Sequence, residues 1–257
     1  MRIDATTRDR LGPGLAAELA ENLWAVDCPT CDRPLGLRSP SVTVAEADGL
    51  AEVALHHRRC QSPRWEAADR LPRFGWRPSR RSGGFAVSGG GLVVFLVNPS
   101  CEVARLLATD AGWRLANLDA YLAAGLDPGW PGRTLPGLTG SLRGSALTVE
   151  LEVDGSRLGS WSTGSVPDHA AAEIRDRGAV LVGVTTAVDV TTGATPELVR
   201  SLVDRRQVAM AWAEVGTPDV PPVVGPTVDV APAVLAAVRG DGSLIAALRG
   251  QDRSTRC

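Results

Sequence analysis

Between residues 41 and 57 the chain alternates apolar and polar side chains in two short runs joined by a two-residue turn. Ser41 to Ala47 (Ser-Val-Thr-Val-Ala-Glu-Ala) has the period of two that marks a strand. Asp48-Gly49 is a dipeptide suited to a tight hairpin, and Leu50 to His57 alternates again, more loosely, with Leu50, Val53 and Leu55 apolar. Upstream the period lengthens. Over 13–26, Leu15, Leu19, Leu23 and Trp24 fall at helical spacing with Glu18 and Glu21 elsewhere on the wheel, which predicts an amphipathic helix leading into the hairpin region.

Downstream, Leu92 to Val97 is a continuous apolar run suited to a buried strand, followed by a turn at Asn98-Pro-Ser and a second strand over 102–107. Asp110-Ala-Gly112 predicts a turn before Trp113, and 119–126 a short helix. Ala146 to Val153, the turn Asp154-Gly155 and Arg157 to Trp161 predict a further hairpin. The period then changes. Pro167 to Arg177 reads as a helix with acids early, arginines late and Gly178 as its stop, followed by a buried strand over 179–188. Thr195-Pro-Glu caps a second helix running through Arg205, and 208–215 predicts another strand. Hairpins followed by helix–strand–helix–strand imply an α+β fold, its mixed sheet covered by helices on one face.

Glycine clusters at Ser82-Gly-Gly and Ser88-Gly-Gly-Gly91 suggest a flexible junction, so the boundary is placed near 78–90. The expected organisation is 1–81 as helix, metal module and arginine-rich connector, 92–215 as the α+β domain, and 216–257 as a proline-rich arm with a short helical tail. Pro218, Pro221, Pro222, Pro226 and Pro232 extend the arm. Two similar apolar pieces beyond it, Val234 to Gly240 and Leu244 to Gly250, suit docking onto the body, or oligomerisation in an assembly protein.

Composition adds little to class but constrains compartment. No apolar run approaches the roughly 18 residues that cross a bilayer, and the first residues are polar, so a cytoplasmic protein without membrane contact is expected. All 27 basic residues are arginine, a whole-chain bias attributable to GC-rich coding. The five cysteines are odd in number, a poor disulfide framework.

Three of those cysteines bracket the predicted hairpin. Cys28-Pro-Thr-Cys31 stands before it, and His56-His57-Arg-Arg-Cys60 closes it. Two short-spaced pairs of nitrogen and sulfur ligands are what a tetrahedral zinc ion takes. His56 and His57 point to opposite faces of a strand, so one ligates. His57 makes two equal Cys-x2-Cys and His-x2-Cys knuckles, which gives Cys28, Cys31, His57 and Cys60 as the ligand set. Over residues 28–60 the chain resembles the zinc-ribbon class, departing from the four-cysteine pattern by placing a histidine third. That resemblance implies a zinc-stabilised module; it does not imply one function, since such ribbons bind nucleic acids or proteins, or brace a larger fold.

The segment after the second knuckle is basic. Residues 58–81 hold eight arginines against Glu66 and Asp69, a surplus of +6 in a chain whose net charge is −2. Arg58, Arg59, Arg64, Arg73, Arg77, Arg80 and Arg81, with Trp65 and Trp76 among them, are candidates for contact with nucleic-acid phosphates and bases, or with an acidic protein. The alternative is a solvated connector anchored by its aromatics.

Catalytic patterns are weak. Four protein ligands leave a zinc ion no open position for water, and neither His-x-Glu nor His-Glu-x-x-His occurs. Cys101 with His169, oriented by Asp168, Glu102 or Asn98, is the best nucleophilic pairing for a small-molecule enzyme, and nothing in the sequence places them together. Glu102, Asp110, Asp119 and Asp189 sit at turn and strand ends, where solvated acids are expected. The pattern as a whole points to a non-enzymatic adaptor or binding protein with a structural zinc.

Overall fold

The computed structural model describes residues 1–36, 38–69, 71, 85–89, 92–164, 166–189 and 194–216. The fold is α+β, built of two mixed sheets and, among the described residues, four helices. The chain divides into two compact units. The first gathers 1–79, 100–117 and 186–188; the second gathers 80–99, 118–185 and 189–257.

In the first unit, α1 (Ala5–Asn22) precedes β1 (Ser41–Ala47), β2 (Leu50–His56) and β3 (Arg64–Ala67). Helix α1 begins earlier than its apolar period predicts, because Asp4 caps it by accepting the Thr7 N–H at 3.0 Å. A kink at Gly12, whose φ is 67°, absorbs the break before Pro13, and Leu11, Leu15, Leu19 and Leu23 form one buried stripe across it. β1 and β2 pair from Ser41 with His56 to Ala47 with Leu50, around the turn Asp48-Gly49 whose φ values of 50° and 78° are both left-handed.

Two further strands, labelled β6 (Val103–Thr109) and β7 (Gly112–Leu115) in chain order, complete this sheet in the order β3-β1-β2-β6-β7. Residues 103–115, which the sequence assigns to the 92–215 part, thus hydrogen-bond to the hairpin, and the metal knuckles adjoin a five-stranded sheet. All seven residues of β2 are buried. Since neighbours on a strand face opposite ways, both faces of β2 are covered. Leu11, Leu15, Leu19, Val42, Val44, Val53, Leu55 and Leu106 form one core with Cys28 and Leu35.

The second unit has β4 (Phe85–Gly89), β5 (Leu92–Val97), α2 (Asp119–Ala123), β8 (Thr134–Arg143), β9 (Ala146–Val153), β10 (Ser156–Thr163), α3 (Asp168–Arg177), β11 (Ala179–Val184), α4 (Pro196–Asp204) and β12 (Ala209–Gly216). Its sheet runs β10-β9-β8-β12-β11-β5-β4, with β11 parallel to β5 and β12 parallel to β8. Helix α3 ends at Gly178 in the left-handed conformation, and Thr195 caps α4 through the Leu198 N–H, as their termini predict. Phe85–Gly89 is a strand paired with β5, where the glycine clusters had suggested a flexible junction. The proline-rich arm and helical tail lie outside the described residues. No helix among those described is long and apolar enough to cross a membrane.

Candidate metal centre

The first knuckle is a tight loop closed on both sides by backbone bonds. The Cys28 N–H donates to the Arg33 carbonyl at 2.9 Å and the Leu35 N–H to the Val26 carbonyl at 2.9 Å. Inside the loop the Cys28 carbonyl accepts from the N–H groups of Cys31 at 3.2 Å and Asp32 at 2.8 Å, and Asp32 takes a φ of 54° to turn the chain back. The second knuckle repeats the pattern where β2 ends. The His57 carbonyl accepts from the N–H groups of Cys60 at 2.9 Å and Gln61 at 3.0 Å. Two loops of equal span, each folded over the carbonyl of its own first ligand, therefore face one another.

They bring Cys28, Cys31, His57 and Cys60 together, with one ligand atom from each lying within 4.8 Å of the others. His57 Nδ1 is 3.4 Å from Cys31 Sγ and 4.0 Å from Cys60 Sγ. A tetrahedral zinc with ordinary bond lengths separates sulfur from nitrogen ligands by about 3.5 Å, so the donor set and its spacing fit such an ion. The His57 N–H also points at Cys28 Sγ, at 3.4 Å, as a thiolate acceptor would require. This cluster is able to hold a metal ion. With four protein ligands it resembles closed structural sites more than open catalytic ones.

The two histidines differ in their partners, and His57 is the one that groups with all three thiols. His57 Nε2 donates to the Pro34 carbonyl at 3.0 Å, leaving Nδ1 as the free lone pair toward the thiols. His56, 3% exposed, meets Thr30 Oγ1 at 3.0 Å through Nδ1, and that nitrogen also lies 4.0 Å from Cys28 Sγ. Burial holds its pKa down at about 4, with the charges of Arg64 and His57 acting in the same direction, so it is neutral near pH 7. Among the thiols, Cys31 is lowered to about 7, first by the Arg33 N–H and then by His57 and the other two cysteines. Cys60 is pushed up, first by burial and then by its neighbours Cys31 and Cys28.

Glu102 was not a solvated acid. It is 5% exposed, and its Oε1 accepts the Asp27 N–H at 2.7 Å, fixing the residue that precedes Cys28. Burial raises its carboxyl to about 7, with the Asp27 carboxylate adding to the rise and backbone N–H bonds opposing it.

The other candidate residues fall in different settings. Arg58 and Arg59 lie exposed on the second knuckle. Arg64 on β3 forks onto Glu66 at 2.7 and 3.1 Å and donates to Gln61 at 2.6 Å. Trp65 is half-buried; its indole N–H donates to Glu46 at 2.6 Å, its ring tilts against Trp113 with centroids 5.5 Å apart, and the Arg10 guanidinium stacks over it at 5.0 Å. Both side chains thus have partners within the first unit. Arg73, Trp76, Arg77, Arg80 and Arg81 lie outside the described residues. Cys101 is buried in the first unit, whereas His169 is exposed on the first turn of α3 in the second.

No protein-family model matches the chain, and no curated protein or solved structure is detectably similar to it. Arg2 and Arg38, which no local pattern singles out, line a groove beside His57 together with Arg58 and Arg59. Only the fold brings them there, because Arg2 bridges to Ser41 at the start of β1.

Proposed function

We propose that the first unit is a zinc-stabilised binding module and that the chain acts as a non-enzymatic adaptor, its zinc held by Cys28, Cys31, His57 and Cys60. The observation that supports this is the closure of the ligand set: four donor atoms within 4.8 Å, with the remaining histidine nitrogen already committed to Pro34. A closed set gives the ion no water to activate, so its work is to clip two loops to the edge of a core that includes Cys28. The basic segment 58–81 would supply the contact, with a nucleic acid or an acidic protein as partner.

Elemental analysis of the purified full chain tests the metal. One zinc per chain, and a melting temperature that falls on chelation and recovers on adding zinc, are the expected results. Purified protein that is folded, metal-free and indifferent to chelator and zinc alike would end this proposal.

A further inference from the structure

A groove of about 740 Å³ opens on the face of the first unit beside His57. Four arginines, Arg2, Arg38, Arg58 and Arg59, line its walls, and among the described residues no acidic residue does. All four arginines are exposed, and no ion pair among the described residues engages any of them. That is unlike Arg10, Arg64, Arg105 and Arg157, each of which reaches a glutamate within 3.6 Å. Four like charges around one concavity repel one another, and a bound anion relieves that repulsion.

The backbones beneath Arg2, Arg58 and Arg59 are fixed. The Arg2 N–H donates to the Pro40 carbonyl at 2.8 Å, and the Arg2 carbonyl accepts from Val42 at 2.9 Å, so this residue is laced alongside β1. Arg58 and Arg59 sit inside the second knuckle, between two of the four metal-ligand candidates. Resting on the zinc-bound module proposed above, we propose that this groove binds the phosphodiester backbone of a nucleic acid, with Arg2, Arg38, Arg58 and Arg59 as its phosphate contacts.

Guanidinium forks match phosphate oxygens bidentately, and separate forks around one groove suit a polymer with a charge on every unit. Continuity with the chain favours a polymer over a compact anion. Arg70, Arg73, Arg77, Arg80 and Arg81 follow the groove arginines in sequence, opposed over 70–81 by no acidic residue. No Phe, Tyr or Trp lines the groove among the described residues, and the His57 ring is committed to the cysteine cluster and Pro34, so the contact is to the backbone and carries little preference for base.

The test is fluorescence anisotropy with the zinc-loaded full chain and a labelled oligonucleotide of roughly 20 nucleotides, single-stranded and as a duplex, across salt. Four phosphate contacts to a single strand imply a loss of about 50-fold in affinity between about 50 and 200 mM salt. Contacts from 70–81 would steepen that slope, so the decisive quantity is its change in a variant. Arg2→Ala with Arg38→Ala leaves both knuckles intact and removes two contacts; the groove's share of the salt effect should shrink to about 7-fold. Unchanged zinc content and melting temperature in that variant show that its fold is kept.

Absence of oligonucleotide binding at low salt, or a salt slope identical in variant and parent, overturns the proposal. So does binding of polyglutamate in preference to the oligonucleotide, which would make the groove a site for acidic protein. Arginine-dependent binding by a chain without zinc would sink the structural-zinc proposal alone and leave the groove standing. One zinc per chain with no oligonucleotide binding would do the reverse.

Discussion

His57 gives its Nε2 proton to the carbonyl oxygen of Pro34 at 3.0 Å, and that bond decides which ring nitrogen faces the three thiols. A carbonyl oxygen only accepts, so Nε2 carries the proton and Nδ1 carries the lone pair. The carbonyl belongs to the loop that holds Cys28 and Cys31, so one knuckle orients the ligand of the other.

This relationship separates the two adjacent histidines experimentally. His57→Ala removes a ligand and is expected to abolish stoichiometric zinc in the purified chain. His56→Gln removes a bond to Thr30 but no ligand, so zinc stays at one per chain while stability falls by about 1–3 kcal/mol. Elemental analysis and urea unfolding of both variants check this. Metal loss in His56→Gln with retention in His57→Ala would reverse the assignment.

A second prediction concerns charge buried beside the hairpin. Glu52 on β2 and Arg105 on β6 are register partners, with side chains 1% and 2% exposed and 3.6 Å apart. Two ions out of water gain little net stability from each other, yet removing one leaves the other's buried charge less compensated. Arg105→Met is therefore expected to cost about 3–5 kcal/mol. Glu52→Leu with Arg105→Met should recover most of that loss. Urea unfolding of the singles and the double closes the cycle; equal losses in Arg105→Met and in the double would show that the pair contributes real net stability.

The Cys/His cluster and the hairpin were legible because each depends on local chemistry. Asp48-Gly49 and Asp154-Gly155 announce turns that need two positive φ values, and the structure gives 51° and 75° at the second pair. Gly178 and Thr195 likewise mark helix ends through their own conformation and side chain. What escaped notice is set by distant partners. β8 contains Pro136 and Gly137, which argue against a strand; Gly137 fits because its φ is 85° and a side chain there would strike the Glu152 carbonyl. The parallel pairing of β1 with β3 has no turn to announce it. Burial of Glu102 and of Trp65 depends on neighbours far along the chain, as does the meeting of Arg2 and Arg38 with the second knuckle.

Glu102 makes stability depend on pH in a predictable direction. Its carboxyl is raised to about 7 in the folded protein, above the ordinary carboxylate value of 4.5. The folded state thus binds the proton more tightly, and Glu102's contribution is fully present below about pH 4.5 and lost as pH rises through 7. Glu102→Gln stays neutral and can still accept the Asp27 N–H. It is expected to be more stable than the parent at pH 8, by roughly 1–3 kcal/mol, and nearly equal to it at pH 5. Comparing parent and variant at each pH cancels other titrations, including those of the metal ligands. A constant difference across that range would show that Glu102 is already ionised when folded.

The last prediction follows a relay whose hydrogen positions are dictated from both ends. The Arg105 N–H donates to Asn117 Oδ1 at 2.7 Å, which turns the Asn117 amide N–H toward Thr186 Oγ1 at 2.9 Å. At the other end Asn22 donates to the Glu18 carbonyl at 2.9 Å, so its Oδ1 accepts from the Thr186 hydroxyl at 2.7 Å. Thr186 must therefore accept from one amide and donate to the other, which a hydroxyl can do and a methyl cannot. Asn22, Asn117 and Thr186 are all at most 5% exposed, so Thr186→Val would leave a buried donor and a buried acceptor without partners. The expected cost is about 2–4 kcal/mol, against less than about 1 kcal/mol for Thr186→Ser, which keeps the hydroxyl. Denaturant midpoints of the two variants measure the difference. Equal stabilities would mean that water or a side-chain shift replaces the threonine and that the relay adds nothing to the join between the end of α1 and the 186–188 segment.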